Sequence, residues 1–401
     1  MSRRSATHPY TAPMAWLTDE DRRLIGLTWL VKLGVLLVGA IAYVSFRGAV
    51  IDQPGDLLRM WSHWDAPHYL DLIVFGYRDG DSSGLIGPNG YRSIYPEDLA
   101  LYIVFFPLFP WLGTLVNVVV RDPLVSAFVV TTIASMFVAP LLYRLVRHDE
   151  DASVALRSAW FLLIFPTAYF LHIGYTEAVF MALVLGSFLA ARTERWWLAG
   201  LLGGLAALAR VNGLILIPAL AAEAFTQWLR QPPEERRLRV EWLAIGLVAA
   251  GFGVYLALNQ VVYGDPVAFL IPQKEHWFKS LAWPWEGIDG VLGWLDAPKP
   301  DNVLMQGWME LLFIAIGFVA TIHAAFRFRL SWLAWMAGNW LLFVSTSFVM
   351  STPRYVLTLF PMYVSLALAS RSRAALVAIS AVSLAAMIYF TGRFATGGWA
   401  F

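Results

Sequence analysis

The chain has 401 residues, 59% of them hydrophobic and 14% charged, with 19 Trp and 26 Phe. Charge that far below the roughly 25% usual for soluble domains, with apolar runs of about 20 residues throughout, implies a polytopic helical membrane protein. A net charge of +1 points to no nucleic-acid partner, and the lack of cysteine excludes disulfides, thiol catalysis and Cys-based metal sites.

The first apolar run, Leu27 to Phe46, is too long for a signal-peptide core and lacks a small-residue cleavage site, so it reads as a permanent span. Next comes MWSHWDAPHYL, from Met60. Helical spacing puts Trp61, Trp64, Asp65, His68, Tyr69 and Leu72 on one face. Asp65 reads either as a helix N-cap, with Pro67 in the first turn, or as a catalytic carboxylate. The tryptophans suit an interface anchor or a sugar-stacking platform. Asp79 and Asp81 have DxD spacing, but YRDGDSSG reads better as an acidic turn than as a metal site. Leu101 to Val120 is long enough to span, yet Pro107 and Pro110 break it, and it is expected to be interfacial or re-entrant.

From there arginine-rich breaks set the pattern: Arg22-Arg23, Arg144 to Arg157, Arg192 to Arg195, Arg230 to Arg239, Phe326 to Arg329 and Arg371 to Arg373. If each is cytoplasmic, every intervening segment is a hairpin with its tip outside. Between Arg157 and Arg192 lie 34 residues, and 34 more between Arg195 and Arg230. Two full spans need about 40, so these hairpins pair short helices. The tips fall at His172 to Glu177, at ARVNG (Ala209 to Gly213) and at STPRY (Ser351 to Tyr355). Long outer loops cover about 47–122 and 264–302. A final span, about Ala374 to Thr391, leaves the C-terminus outside. The expectation is one domain over 1–401, all-α, with about 11 spans and the N-terminus inside.

Asp65, His68, Glu177, Arg210, Lys274, His276 and Arg354 then share one face. Ionisable groups at membrane depth usually mark a polar cavity or substrate path. Arg210 interrupts the apolar stretch from Trp196 to Phe225 and reads either as an ion pair with Glu177 or as a phosphate ligand. Arg354 carries the same two readings. Lys274 and His276, in PQKEHWF, also fit a solvated loop, and His172 and Tyr175 also fit the end of a helix at the interface. No HExxH, P-loop, GxSxG or dinucleotide fingerprint sits in a suitable context.

Five motifs in order carry a resemblance over nearly the whole chain. HWDAPHYL…FGY resembles the WDA-motif loop of the PIG-V family, the GPI mannosyltransferase 2 group of integral-membrane glycosyltransferases, in its bacterial branch. FFPLFP (Phe105 to Pro110) resembles that family's FFP-FP segment, and FPTAYFLHIGYTEAVF (Phe165 to Phe180) its stretch ending in GYSE. ARVNG resembles its RSNG, and TPRY (Thr352 to Tyr355) its C-terminal PR motif. Thr176 and Val211 depart from it, standing where the eukaryotic pattern has serine.

The resemblance implies a GT-C fold and transfer of a hexose, mannose first, from a polyprenyl-phosphate donor to a lipid, glycan or protein acceptor. The reaction would lie at the outer face of a bacterial plasma membrane, with no cofactor and no metal. Asp65 matches the catalytic carboxylate of the first outer loop. Arg210 and Arg354, with Lys274 or His276, would face the lipid phosphate. Trp64, His68, Tyr69, Tyr175, Glu177 and Asn212 complete the expected substrate site. The alternative is a polyprenyl-lipid transporter or scramblase, which would want polar residues through the depth of the bundle and on both faces.

Topology is directly testable. Reporter fusions after Arg157, Arg195, Arg239 and Arg373 are expected to read cytoplasmic and one after Pro284 external. A cytoplasmic signal at Pro284 would mean that Leu101 to Val120 crosses and that the polar tips do not share a face.

Overall fold

The computed structural model describes residues 17–94 and 99–401. It is built from helices and connecting turns, and among the described residues the one β contact is an isolated bridge between Leu281 and Thr346. In chain order the main helices are α1 (Asp19–Arg47), α2 (Ala66–Phe75), α3 (Leu108–Val120), α4 (Pro123–Val146), α5 (Ala152–Leu163), α6 (Glu177–Arg192), α7 (Trp196–Ala209) and α8 (Leu216–Arg230). Then follow α9 (Gly246–Tyr263), α10 (Pro284–Gly293), α11 (Met309–Arg327), α12 (Leu330–Val344), α13 (Thr352–Val356), α14 (Pro361–Ala369) and α15 (Arg373–Ala395).

Helix ends follow local chemistry. Thr18 and Asp21 form a capping box that starts α1, and Gly48 ends it with left-handed backbone, φ 62°. Asp122, Asp151 and Ser372 cap α4, α5 and α15 through their side chains. Among the described residues, five stretches are long and apolar enough to cross a membrane: Asp19–Arg47, Pro123–Val146, Val240–Tyr263, Pro300–Arg327 and Arg373–Ala395. The other traverses expected in the sequence are shorter helices of 9 to 16 residues (α5, α6, α7, α8, α12 and α14). Several are extended by 3₁₀ turns such as Ala168–Leu171 and Val211–Ile215. The backbone therefore leaves the α-helical path near the tips, where irregular segments can present polar groups inside protein rather than to lipid. Leu101 to Val120 divides into a 3₁₀ turn, Leu99–Val104, and the 13-residue α3. At about 20 Å, α3 is shorter than a hydrocarbon core of about 30 Å.

Ion pairs and hydrogen bonds gather the six arginine-rich breaks at one end of the bundle. Asp21 takes Arg144. Arg192 binds Asp149 at 2.8 Å, and Glu194 binds Arg239 at 2.6 Å. Arg329 binds the buried Glu223 at 2.6 Å, with the Ser331 hydroxyl donating to the same carboxylate at 2.7 Å. Arg157 donates to the Ser370 carbonyl at 2.9 Å. Because consecutive breaks share this end, the segments between them go out and return, and their tips meet at the other end.

Close helix approach holds the hairpins together. Gly200 and Gly204 of α7 lie against the chain leading into and along α9. A Cβ on Gly204 would sit 2.5 Å from the Leu247 carbonyl oxygen, and one on Gly251 would sit 2.0 Å from that of Gly204. Without a hydrophobic drive between helices in lipid, such small-residue contacts supply the packing.

Candidate functional site

At the tip end, residues from four segments meet around one carboxylate. Glu177 is the first residue of α6 and fully buried. A helix N-terminus favours a negative group there. Both Arg210 and Arg354 donate to its Oε1. Arg210 stands just past the end of α7, where the helix dipole favours a cation. Arg354 also donates to Asp65 Oδ2 at 2.6 Å, so its guanidinium bridges the two carboxylates. It lies over the rings of Phe170 and Tyr175, 4.7 and 4.8 Å from their centroids.

Asp65 occupies the cap position of α2, but its side chain makes no capping hydrogen bond. The carboxylate turns to Arg354 instead and stays 30% exposed, the most open member of the group. Burial opposes its ionisation, yet Arg354 beside it outweighs that, with His68 and Arg210 adding to the pull, and the carboxyl lies below the usual aspartate range. It is therefore ionised at neutral pH. Trp64 reaches this geometry through a left-handed backbone, φ 56°, and packs edge-on against Trp399 at 4.8 Å. His68 sits in an aromatic box with Tyr102 at 4.5 Å and Phe105 at 5.2 Å. Tyr69 packs edge-on against Tyr175, whose hydroxyl donates to the His63 carbonyl at 2.6 Å.

The structure brings together Asp65, His68, Tyr69, Tyr175, Glu177, Arg210 and Arg354. It does not bring in three other residues. Lys274 and His276 are exposed on their loop, and no hydrogen bond or ion pair ties either to the cluster among the described residues. Asn212 turns away to donate to Asn339 Oδ1 at 3.0 Å, fixing the tip against α12. The loop cation that does arrive is Lys279, five residues beyond Lys274. It donates to the Tyr355 hydroxyl at 3.0 Å and stands 5.1 Å from that ring, with Arg210 5.5 Å from the same ring. It has no carboxylate ion-pair partner among the described residues.

Sequence reasoning also missed Glu310 and Phe394. The buried Glu310 of α11 accepts the N–H groups of Ser351 and Thr352 at 2.7 and 2.8 Å. It thereby pins the turn at Ser351, φ 69°, that aims Arg354. Phe394 of α15 packs on Trp61, Phe170 and Tyr175 beneath the cluster. A lone apolar-flanked Glu in "WMELLF" was the available signal for the first; nothing local marks the second. Asp79 and Asp81 lie outside the cluster, and Asp81 accepts the Ser83 N–H and hydroxyl as a turn.

The arrangement is a buried cluster of two arginines on one carboxylate with a second, partly exposed carboxylate at its rim, on a helical membrane bundle. The model of the dolichyl-phosphate-mannose-protein mannosyltransferase family matches residues 106–252. GPI alpha-1,6-mannosyltransferase 2 of Mus musculus is 30% identical over 171 residues, 40% of this chain and 30% of that protein. The Homo sapiens protein is 28% identical over 173 residues, 40% and 31% of the two chains. The resemblance read from the motifs is thus matched by direct sequence similarity, although the chain spans about a third of the length of these curated relatives. Among solved structures, ArnT from Cupriavidus metallidurans bound to undecaprenyl phosphate aligns with TM-score 0.47 and 15% identity, covering 87% of this chain and 60% of that one. The Archaeoglobus fulgidus oligosaccharyltransferase aligns with TM-score 0.43 and 12% identity, covering 92% and 56%.

Removing the Glu177 charge would leave two arginines facing each other in a buried site. Glu177→Gln is expected to cost about 3–5 kcal/mol of stability, read as a large drop in thermal unfolding temperature in detergent. Asp65→Asn, at the rim, is expected to cost far less. A Glu177→Gln protein that unfolds with the wild type would remove Glu177 from the centre of the site.

Proposed function

We propose that the protein is a membrane glycosyltransferase that moves a hexose, mannose in the first instance, from a polyprenyl-phosphate donor to a hydroxyl of a glycan, glycolipid or protein acceptor. The observation that carries this reading is the joining of Arg210, Arg354 and Lys279 around Tyr355 and Glu177, with Asp65 at their rim. The similarity to mannosyltransferases supports it.

The chemistry follows from the charges. The acceptor oxygen attacks the anomeric carbon while Asp65 takes its proton. The bond from that carbon to the phosphate oxygen breaks, its electron pair stays on the phosphate, and the configuration inverts. Negative charge grows on the leaving phosphate, where Lys279, Arg210 and Arg354 stabilise it in a low-dielectric setting. Arg354 has a double role. In the free protein it holds Asp65, which keeps that carboxylate a weak base. As the donor phosphate draws Arg354 toward itself, Asp65 loses its partner and its basicity rises where the acceptor arrives. Trp64 is exposed and His68 half-buried, and these two would offer surfaces to sugar faces, while Tyr69 is buried behind them. The active site would face outside, the arginine-rich end the cytoplasm of a bacterial cell, with the lipid tail lying between helices. The transporter alternative calls for charge spread through the depth of the bundle. Here the charged groups concentrate at the two ends, and the buried Lys32 of α1 donates to the His172 carbonyl in the tip at 2.9 Å.

The decisive variant is Asp65→Asn. It is expected to express and unfold as wild type, to bind donor nearly normally, and to transfer sugar about 10²–10⁴-fold more slowly. Because the free-protein carboxyl lies below its ordinary 3.8, its charged form is present above that pH and is lost only as pH falls through the lower, folded value. The rate constant kcat/KM should therefore show no Asp65 limb between pH 5 and 8, and the acid limb of kcat should lie higher than that of kcat/KM. An Asn variant that turns over at the wild-type rate would show that Asp65 is not the base.

A further inference from the structure

A second feature shares no residue with the charge cluster. Helices α11 and α14 both run from the tip end toward the arginine-rich end, and between them is a groove of about 700 Å³. Along α11 its wall is Leu312, Ala315, Ile316, Val319, Ala320 and His323, a stripe at helical spacing that ends at Arg327. From Leu312 to Arg327 the stripe is about 22 Å long, longer than one leaflet's hydrocarbon half of about 15 Å. The other wall is α14, only 9 residues long, and the chain beyond it ends the groove at Arg371.

The polar groups are confined to one end. His323 Nδ1 pairs with the Ser365 hydroxyl at 2.8 Å. Arg327 is half exposed and reaches a carboxylate, Glu150, only loosely at 3.8 Å. Arg371 is exposed and has no ion-pair partner among the described residues. An apolar trough of acyl-chain length with two arginines at its mouth is complementary to an amphiphile with an anionic head. Basic pockets between membrane helices bind phosphate head groups in this way. Arginine is the better residue for it, since its fork meets two phosphate oxygens.

We infer that the α11–α14 groove binds one anionic phospholipid, with an acyl chain along the Leu312–His323 stripe and the phosphate between Arg327 and Arg371. Glu310, which pins the Arg354 turn, lies on the same helix two residues before Leu312 at the groove's apolar end. The lipid is thus placed to brace the helix that supports the cluster without touching it. The inference is independent of the proposed glycosyl transfer.

The test is retention of lipid by the purified full chain in native mass spectra, after exchange against equal amounts of dioleoyl phosphatidic acid and dioleoyl phosphatidylcholine. Wild type is expected to keep one phosphatidic acid with a preference of roughly thirtyfold, the factor two membrane-facing arginines supply. The Arg327→Gln/Arg371→Gln pair should lose that preference, and Arg327→Lys/Arg371→Lys should keep most of it. Ala315→Trp, which fills the exposed trough and leaves both arginines, should release the lipid. Millimolar inorganic phosphate should not displace it. Equal retention by wild type and the Gln pair, retention by Ala315→Trp, or displacement by inorganic phosphate would each overturn the inference, the last by showing a site for a free anion.

Discussion

The structure depends on the fully buried Glu177 carboxylate accepting from two arginines that arrive on different segments. In a bundle surrounded by lipid, an isolated guanidinium or carboxylate at that depth costs several kcal/mol. Together the three groups offset much of that cost through the shared Oε1, while Oε2 stays buried without a hydrogen-bond partner among the described residues, and they tie the α6 tip to the α7 tip and to α13. They also leave an excess of positive charge, since two cations share this anion and Lys279 adds a third. Asp65 is drawn in from the first loop to balance it. On the proposed reading, this excess positive charge is what the donor phosphate would meet.

The two ends of the bundle use charge differently. At the arginine-rich end, Arg144, Arg192, Arg239 and Arg329 each have a carboxylate partner, and Glu223 takes a bonded hydroxyl as well. That end is a clasp that closes the hairpins. At the tip end the cations are under-compensated and one carboxylate stays partly open. Short helices and 3₁₀ turns belong to this division of labour. Ending α5, α7 and α12 early frees backbone and side chains near the tips, and Glu310 then holds the left-handed turn at Ser351.

Much of this was legible in the chain. Arginine breaks at repeating intervals implied out-and-back hairpins, because a charge in an apolar run must end a traverse or sit in a cavity. Glu177, Arg210 and Arg354 were visible as charges at predicted tips, and Asp65 as a carboxylate beside tryptophans. Two readings of Arg210 were open, and the structure realises the ion pair with Glu177. The N-cap reading of Asp65 gives its position but not its bond. What was not legible depends on loop conformation and distant packing. Within KEHWFK the short helix Leu270–Glu275 leaves Lys274 and His276 exposed, while the left-handed backbone at Phe278, φ 56°, helps bring Lys279 to Tyr355. No periodicity distinguishes these cations. Asn212 lies in the right motif but bonds to Asn339 on a helix 127 residues away. Phe394 looks like any apolar residue of a span until its neighbours are known.

On the proposed reading the tip cluster is the seat of a lipid phosphate. The most direct measurement is the affinity of sugar-free polyprenyl phosphate for the protein in nanodiscs, compared between wild type and Lys279→Gln. Lys279 carries no carboxylate bridge, so its replacement leaves the Glu177 pairs standing. Loss of one charge-assisted contact of about 1.5–3 kcal/mol predicts an affinity lower by roughly 10- to 150-fold, with thermal unfolding unchanged. An unchanged affinity in a folded Lys279→Gln protein would contradict the account.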